Sequence, residues 1–313
     1  MEIFLNILLL ILGFVFLAKG ADFFVDGASN IARSLKIPQL VIGLTIVAMG
    51  TSAPEAAVSI SSALKGNADI TIGNVVGSNI LNVLIILGIS SLVCPLAISK
   101  STIKVDIPVV MVSTILLLIL GIDGSIKWYD GVVLTLFFVG YMFYLFKTSK
   151  NNSVDEEVEV ENKKSSLTRS ILLTVIGLVM IILGSNFAVD SATFLAKVIG
   201  ISDRFIGLTI VALGTSLPEL FTSVSAAMKK NADIAIGNII GSNIFNILFI
   251  VGLSSLIVPV PFANSFIIDT SIALASVIML FICCIRNKKL YAWGGILMLI
   301  SYALYFVYLL NIG

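Results

Sequence analysis

Two short patterns, each written twice, hold the side chains best suited to chemistry. Gly50-Thr51-Ser52-Ala53-Pro54-Glu55 returns as Gly214-Thr215-Ser216-Leu217-Pro218-Glu219. Gly73-Asn74-Val75-Val76-Gly77-Ser78-Asn79-Ile80-Leu81-Asn82 returns as Gly237-Asn238-Ile239-Ile240-Gly241-Ser242-Asn243-Ile244-Phe245-Asn246. All four stretches lie in apolar runs of membrane-spanning length, where a charge at the bilayer centre costs roughly 2.5–3.5 kcal/mol. Of the eighteen acidic residues, Glu55 and Glu219 alone fall away from connections and expected helix ends, and no Lys or Arg lies at their depth in the same runs. A bound cation, or protonation, is what remains to compensate them.

Proline lacks the N–H and clashes with the carbonyl four residues back, so Pro54 should free the carbonyl of Gly50, and Pro218 that of Gly214. Irregular backbone at this depth is tolerated where it is buried in protein or lines a cavity. Thr51 and Glu55 stand four apart on one helical face with Ser52 beside them, so hydroxyl, carboxylate and carbonyl oxygens converge; Thr215, Ser216 and Glu219 repeat the arrangement. Ser78 and Asn82, and again Ser242 and Asn246, present two neutral oxygens each to one side. Asn74, Asn79, Asn238 and Asn243 are expected to hold helices together, the commoner role of amides in membranes. The donor set is all oxygen. Calcium takes six to eight hard oxygen ligands, whereas softer metals favour sulfur or imidazole. Two glutamates neutralise one divalent ion, and the same oxygens could hold sodium ions instead. Competition for one set of ligands would make transport an exchange.

The elements that must position these residues follow from composition. The chain has 313 residues, 58% hydrophobic and 12% charged, with no histidine, against about 25% charged in an ordinary soluble domain. The lack of histidine excludes a Ser-His-Asp triad, HExxH zinc sites and imidazole haem ligation, and no nucleophile has a plausible base, so an enzyme is not expected. A net charge of +1 gives no basic face for nucleic acid. Cys94, Cys283 and Cys284 lie in apolar runs without metal-ligand spacing. The opening run carries Glu2 where a signal peptide would carry a base, and is expected to stay as a first membrane helix.

A span needs about 20 apolar residues. The runs give ten, near 3–20, 37–64, 70–95, 104–121, 129–146, 167–185, 201–228, 233–258, 265–285 and 291–311. With ten spans, fifteen Lys and Arg fall on one side and Lys65, Lys127, Lys197 and Arg204 on the other. The positive-inside bias then places both termini outside and the linker 147–169 in the cytoplasm. The acidic run of that linker, Asp155 to Glu161, is expected to be solvated.

A shift of 164 residues aligns the halves without a gap, and residues 43–96 match 207–260 at 34 of 54 positions. The chain therefore divides into a first five-helix unit, 1–149, a linker, 150–164, and a second five-helix unit, 165–313. An odd number of spans per unit forces the second to enter from the opposite side, giving an all-α membrane protein of ten helices in two inverted repeats, with helices 2, 3, 7 and 8 broken. Inverted repeats are a recurring basis of secondary transport with the site near the midplane.

The paired motifs GTSxPE and GNxxGSNxxN resemble the alpha-repeats of the cation/calcium antiporter superfamily, specifically its sodium/calcium exchangers of prokaryotic type. The resemblance covers nearly the whole chain. It implies that Glu55 and Glu219 are the central calcium ligands, and that Thr51, Ser52, Ser78, Asn82, Thr215, Ser216, Ser242 and Asn246 complete calcium and sodium sites with the carbonyls of Ala48 and Ala212. It further implies that helices one and six slide across the other eight. Some members, potassium-dependent exchangers among them, carry Asp at the position of Asn246, and proton/calcium exchangers carry GNxxE where this chain does not. Sodium is thus the expected counter-ion, with proton-coupled exchange of calcium or another divalent cation as the alternative. No cofactor and no obligate protein partner is implied; the bilayer and the transported Ca2+ and Na+ are.

Overall fold

Uninterrupted apolar composition lets helices run until a proline, a glycine turn or a dense set of charges stops them. The computed structural model describes residues 2–65, 67–151, 166–200 and 212–312. Its long helices are α1 (Glu2–Leu35), α4 (Ile70–Val93), α5 (Thr102–Gly121), α6 (Trp128–Asn151), α7 (Leu167–Val198), α10 (Ala232–Ile257), α11 (Asn264–Ile285) and α12 (Ala292–Ile312). Between them lie the bent pair α2 (Gln39–Thr51) and α3 (Ala53–Leu64), meeting at 49°, and the shorter pair α8 (Ala212–Thr215) and α9 (Leu217–Met228). Eight single helices among the described residues are long and apolar enough to cross a membrane, or nine with the bent pair as one span. The first part of the expected seventh span, 201–211, and most of the acidic linker lie outside the described residues.

The helices α4 and α10 form the core, with 78% and 94% of their most apolar stretches buried, against 17% for α1 and for α12. A helix apolar all round must be wrapped by protein or lipid, and here the two spans that carry the GNxxGSNxxN pattern take the centre. Peripheral helices expose Phe4, Ile11, Leu136, Phe143, Ile282 and Leu304, the composition expected of a lipid-facing surface.

Two spans were longer than the apolar runs indicated. Runs expected to end at residues 20 and 185 continue as helix to Leu35 and Val198, because Asp22, Asp26 and Asp190 lie beyond the hydrophobic stretch without interrupting the backbone ladder. The third and eighth expected spans, here α4 and α10, are ones the sequence marks as broken. They instead stay continuous and relax into a wide, π-type turn at Asn82–Leu87 and at Phe245–Val251, a device frequent at functional sites.

The helices α1 and α7 run antiparallel in close contact. A methyl group on Gly20 would lie 2.9 Å from the Gly177 carbonyl oxygen, and one on Gly184 would lie 2.7 Å from that of Gly13. Glycine is needed at these crossings because the backbones themselves touch. At one end of α5 a two-residue ribbon pairs β1 (Leu96–Ala97) with β4 (Lys289–Leu290). At its other end β2 (Ser125–Ile126) pairs with β3 (Val260–Pro261). Exchanging the halves by 164 residues maps Leu96↔Leu290 onto Ile126↔Val260.

Candidate cation site

The first pattern breaks its span where proline requires it. Ser52 leaves the helical region at φ −82°, ψ 8°, and Pro54 sits in the first turn of α3, where a missing N–H costs nothing. Ser216 is the equivalent break at φ −89°, ψ 3°. Glu55 and Glu219 therefore stand in the first turn of new helices, where the unpaired amides favour negative charge, and both are buried, at 1% and 0% exposure.

The two breaks face one another. The hydroxyl of Ser52 donates to Glu219 Oε1 at 2.7 Å, and that of Ser216 donates to Glu55 Oε1 at 3.5 Å. Thr215 lies beside the Glu55 carboxylate, while Thr51 and Ser242 lie beside that of Glu219. Thr51 Oγ1 donates to Asn238 Oδ1 at 2.9 Å and closes the end of α2 against the carbonyls of Val47 and Ala48 at 3.1 and 3.2 Å. Ser242 donates to the same Ala48 carbonyl at 3.4 Å. Ser78 is buried on α4, and Ala212 stands at the start of α8.

The amides of α4 and α10 divide into two roles. Asn79 Nδ2 donates to the Asn243 carbonyl at 3.2 Å and Asn243 Nδ2 to that of Asn79 at 3.3 Å, which ties the central helices together as expected. Their own side-chain oxygens accept from Asn246 Nδ2 and Asn82 Nδ2, each at 3.0 Å. With the NH2 ends so engaged, the carbonyl ends of Asn82 and Asn246 are left for another partner.

Asn74 and Asn238 do more than join helices. Asn74 Nδ2 donates to the backbone carbonyl of Glu55 at 3.2 Å and to Ser59 Oγ at 2.9 Å; Asn238 does the same for Glu219 and Ser223 at 3.4 and 2.9 Å. These amides hold the backbone of each glutamate. Their spacing was a signal: Asn74, Ser78 and Asn82 recur every four residues along one face.

Buried side-chain oxygens with no hydrogen-bond partner include Glu55 Oε2, Glu219 Oε2, Asn82 Oδ1 and Asn246 Oδ1. Leaving a buried acceptor unpaired costs about 1–3 kcal/mol, more if charged. All four are acceptors, contributed in pairs by the two copies of each pattern. A hard cation fits that donor set. One freed carbonyl is used otherwise: Ser185 of α7 donates to Gly214 at 2.8 Å, and the equivalent of Ser185 on α1 is Ala21, so the Gly50 carbonyl has no such serine.

A family model described as sodium/calcium exchanger protein matches the chain twice, over residues 5–147 and 169–311. The chain belongs to the sodium/calcium exchanger family. It is 34% identical to sodium/calcium exchanger MaX1 of Methanosarcina acetivorans, covering 98% of this chain and 99% of that protein. It is 36% identical to the uncharacterized membrane protein MJ0091 of Methanocaldococcus jannaschii, over 93% and 94% of the two. A structure of the sodium-calcium exchanger NCX_Mj soaked with zero Na+ and Ca2+ superposes with a TM-score of 0.86 at 33% identity, covering 98% of this chain and 99% of that one. Family and structural neighbours are ion exchangers rather than enzymes, and with its apolar helices the chain is a multi-pass membrane protein. The family matches begin 164 residues apart, the same displacement that relates Glu55 to Glu219.

Proposed function

We propose that this member of the exchanger family is a secondary active antiporter that carries Na+ and Ca2+ alternately through one site, extruding Ca2+ as Na+ enters. The carrying observation is the set of four buried, partnerless oxygens on Glu55, Glu219, Asn82 and Asn246. Two carboxylates balance one Ca2+. Surrounding hydroxyls of Thr51, Ser52, Ser78, Thr215, Ser216 and Ser242, with the carbonyls of Ala48 and Ala212, supply neutral oxygens for that ion or for sodium. Reversal of access follows from two inverted five-helix units, 1–149 and 165–313, ten helices in all, joined by a cytoplasmic linker with both termini outside. The exchange of β1–β4 for β2–β3 under the 164-residue shift supports that division.

Energetics bound the coupling. A tenfold sodium gradient supplies about 1.4 kcal/mol per ion, a ten-thousandfold calcium gradient opposes with about 5.5, and one charge moved at 100 mV adds about 2.3. Two sodium ions then yield about 2.8 kcal/mol with voltage cancelling, while three yield about 6.5 with it. Against gradients of that size, extrusion needs at least three sodium ions per calcium.

The test is radiolabelled calcium uptake into proteoliposomes loaded with sodium, lithium or potassium, or carrying a proton gradient. Uptake should follow the sodium gradient and generate a membrane potential. Uptake that ignores sodium and follows protons would transfer the proposal to proton-coupled exchange, and uptake without any counter-ion would indicate a channel.

A further inference from the structure

The helices α5 and α11, whose outer ends meet at the β1–β4 ribbon, enclose a groove of about 490 Å3. Lys100, Lys104 and Lys288 line its rim, and Ile103, Pro108, Phe281 and Ile285 line the rest. All three lysines are exposed, and none of their ammonium groups has an ion-pair partner among the described residues. Asp106, the nearest acid along α5, is buried and takes the hydroxyl of Tyr141 at 2.9 Å.

Charge and apolarity are graded along this groove. Lys100 and Lys104 stand at the start of α5 and Lys288 just beyond the end of α11, so the cationic groups share one level. At about 1.5 Å per residue, Pro108 lies roughly 12 Å deeper than Lys100, and Phe281 lies correspondingly deep on α11. The start of α5, capped by Ser99 Oγ accepting from the Thr102 amide at 3.0 Å, adds the positive end of a helix to the same rim. A phosphate at the rim with acyl chain below matches this gradient, whereas a soluble anion has no use for the apolar floor.

The chain supplies its own control. Under the 164-residue shift the three lysines correspond to Asn264, Ile268 and Gly124, and the apolar positions to Ile267, Ile272, Leu117 and Gly121. The opposite end of the molecule thus carries no cation at these places, and Leu117 and Gly121 there are buried rather than lining a groove. Lys288 also holds a left-handed backbone, φ 51°, where its counterpart is Gly124 at φ 90°, so a lysine occupies a position that sterically favours glycine.

We propose that the groove between α5 and α11 is a binding site for an anionic phospholipid, whose phosphate group is held by Lys100, Lys104 and Lys288. The full chain, purified in detergent, is titrated with phosphatidylglycerol, phosphatidylcholine or inorganic phosphate, and bound lipid is counted by native mass spectrometry. The variant K100Q/K104Q/K288G removes the charges while suiting the backbone at 288. It should bind phosphatidylglycerol on the order of a hundredfold more weakly, since each base near an anionic surface contributes about fivefold. The control K147Q/K150Q/R169Q removes equal charge from residues that do not line the groove and should stay within about twofold of the parent. Equal loss in both variants would reduce the cluster to a charge that orients the chain, and the proposal would fail. It would fail too if inorganic phosphate bound as tightly as the lipid, or phosphatidylcholine as tightly as phosphatidylglycerol. Should the triple variant not fold, K100Q and K104Q singly should each weaken binding about fivefold, and no change in either overturns the site.

Discussion

Glu55 and Glu219 each use one carboxylate oxygen on a serine of the other copy and leave the second unpaired. Replacing either by Gln keeps the shape and removes the charge on which a divalent ion depends. Losing one partner of a buried charged contact costs about 2–5 kcal/mol, so calcium affinity of E55Q or E219Q should fall by about thirtyfold to several thousandfold. Isothermal titration of the purified variants measures this, and near-normal affinity in both would remove the glutamates from the site. Asn238→Ala tests a different role. It takes away the donor to the Glu219 carbonyl and the acceptor of Thr51, so calcium affinity should drop by about tenfold while the fold persists, about 1.5 kcal/mol being typical of such buried hydrogen bonds. Unchanged affinity would show that the amide serves only to join helices. The glutamates and serines were legible from sequence because charge at membrane depth demands a partner. The positioning amides were harder to separate, since the same side chain at the same depth also serves as glue, and the four-residue spacing that sets Asn74 on the face of Ser78 and Asn82 takes its meaning from the hydrogen-bond directions.

At the scale of elements, hydropathy located the runs but not the helix lengths. Where α1 continues through Asp22 and Asp26 it meets a partner far along the chain, Lys229, which lies 2.7 Å from Asp26. Helix ends carry a clearer message. Lys36, Lys230 and Lys288 all take left-handed backbone at φ 54°, 58° and 51°. Under the 164-residue shift their counterparts are all glycines, Gly200, Gly66 and Gly124, with φ 84° at Gly200 and 90° at Gly124. A left-handed conformation costs an ordinary residue about 1–2 kcal/mol, partly offset by the greater entropy glycine loses on ordering, about 0.5–1 kcal/mol. In each pair the lysine and the glycine occupy positions related by the 164-residue shift, so the two differ in charge as well as in backbone freedom. Lys36→Gly should therefore stabilise the helix end by up to about 1 kcal/mol, read as a small rise in melting temperature in detergent, while Gly200→Lys should lower it. A fall with Lys36→Gly would mean that its side chain holds the cap by contacts the backbone does not reveal.

On the scale of the whole molecule, the pairing of halves makes a statement about conformations. Lys229 at the end of α9 donates to Asp26 Oδ1 at 2.7 Å and to the Asp22 carbonyl at 2.8 Å, and Ser225 donates to Asp22 Oδ1 at 2.8 Å, tying α9 to α1. The counterparts of Lys229 and Asp26 are Lys65 and Asp190, both exposed and not joined to each other among the described residues. If the proposed exchange of access interchanges the two units, the opposite conformation breaks the Lys229 contacts and brings Lys65 to Asp190. Partly exposed ion pairs contribute about 0–1 kcal/mol, so Lys229→Met should shift the balance of conformations by up to about fivefold, without altering the oxygens of the site. A cysteine pair at 65 and 190, in a background lacking Cys94, Cys283 and Cys284, should form a disulfide faster when Lys229→Met is added, and at a rate that changes between sodium and calcium. Absence of that cross-link under every ionic condition would contradict the interchange and require α1 and α7 to move by some path unrelated to the repeat.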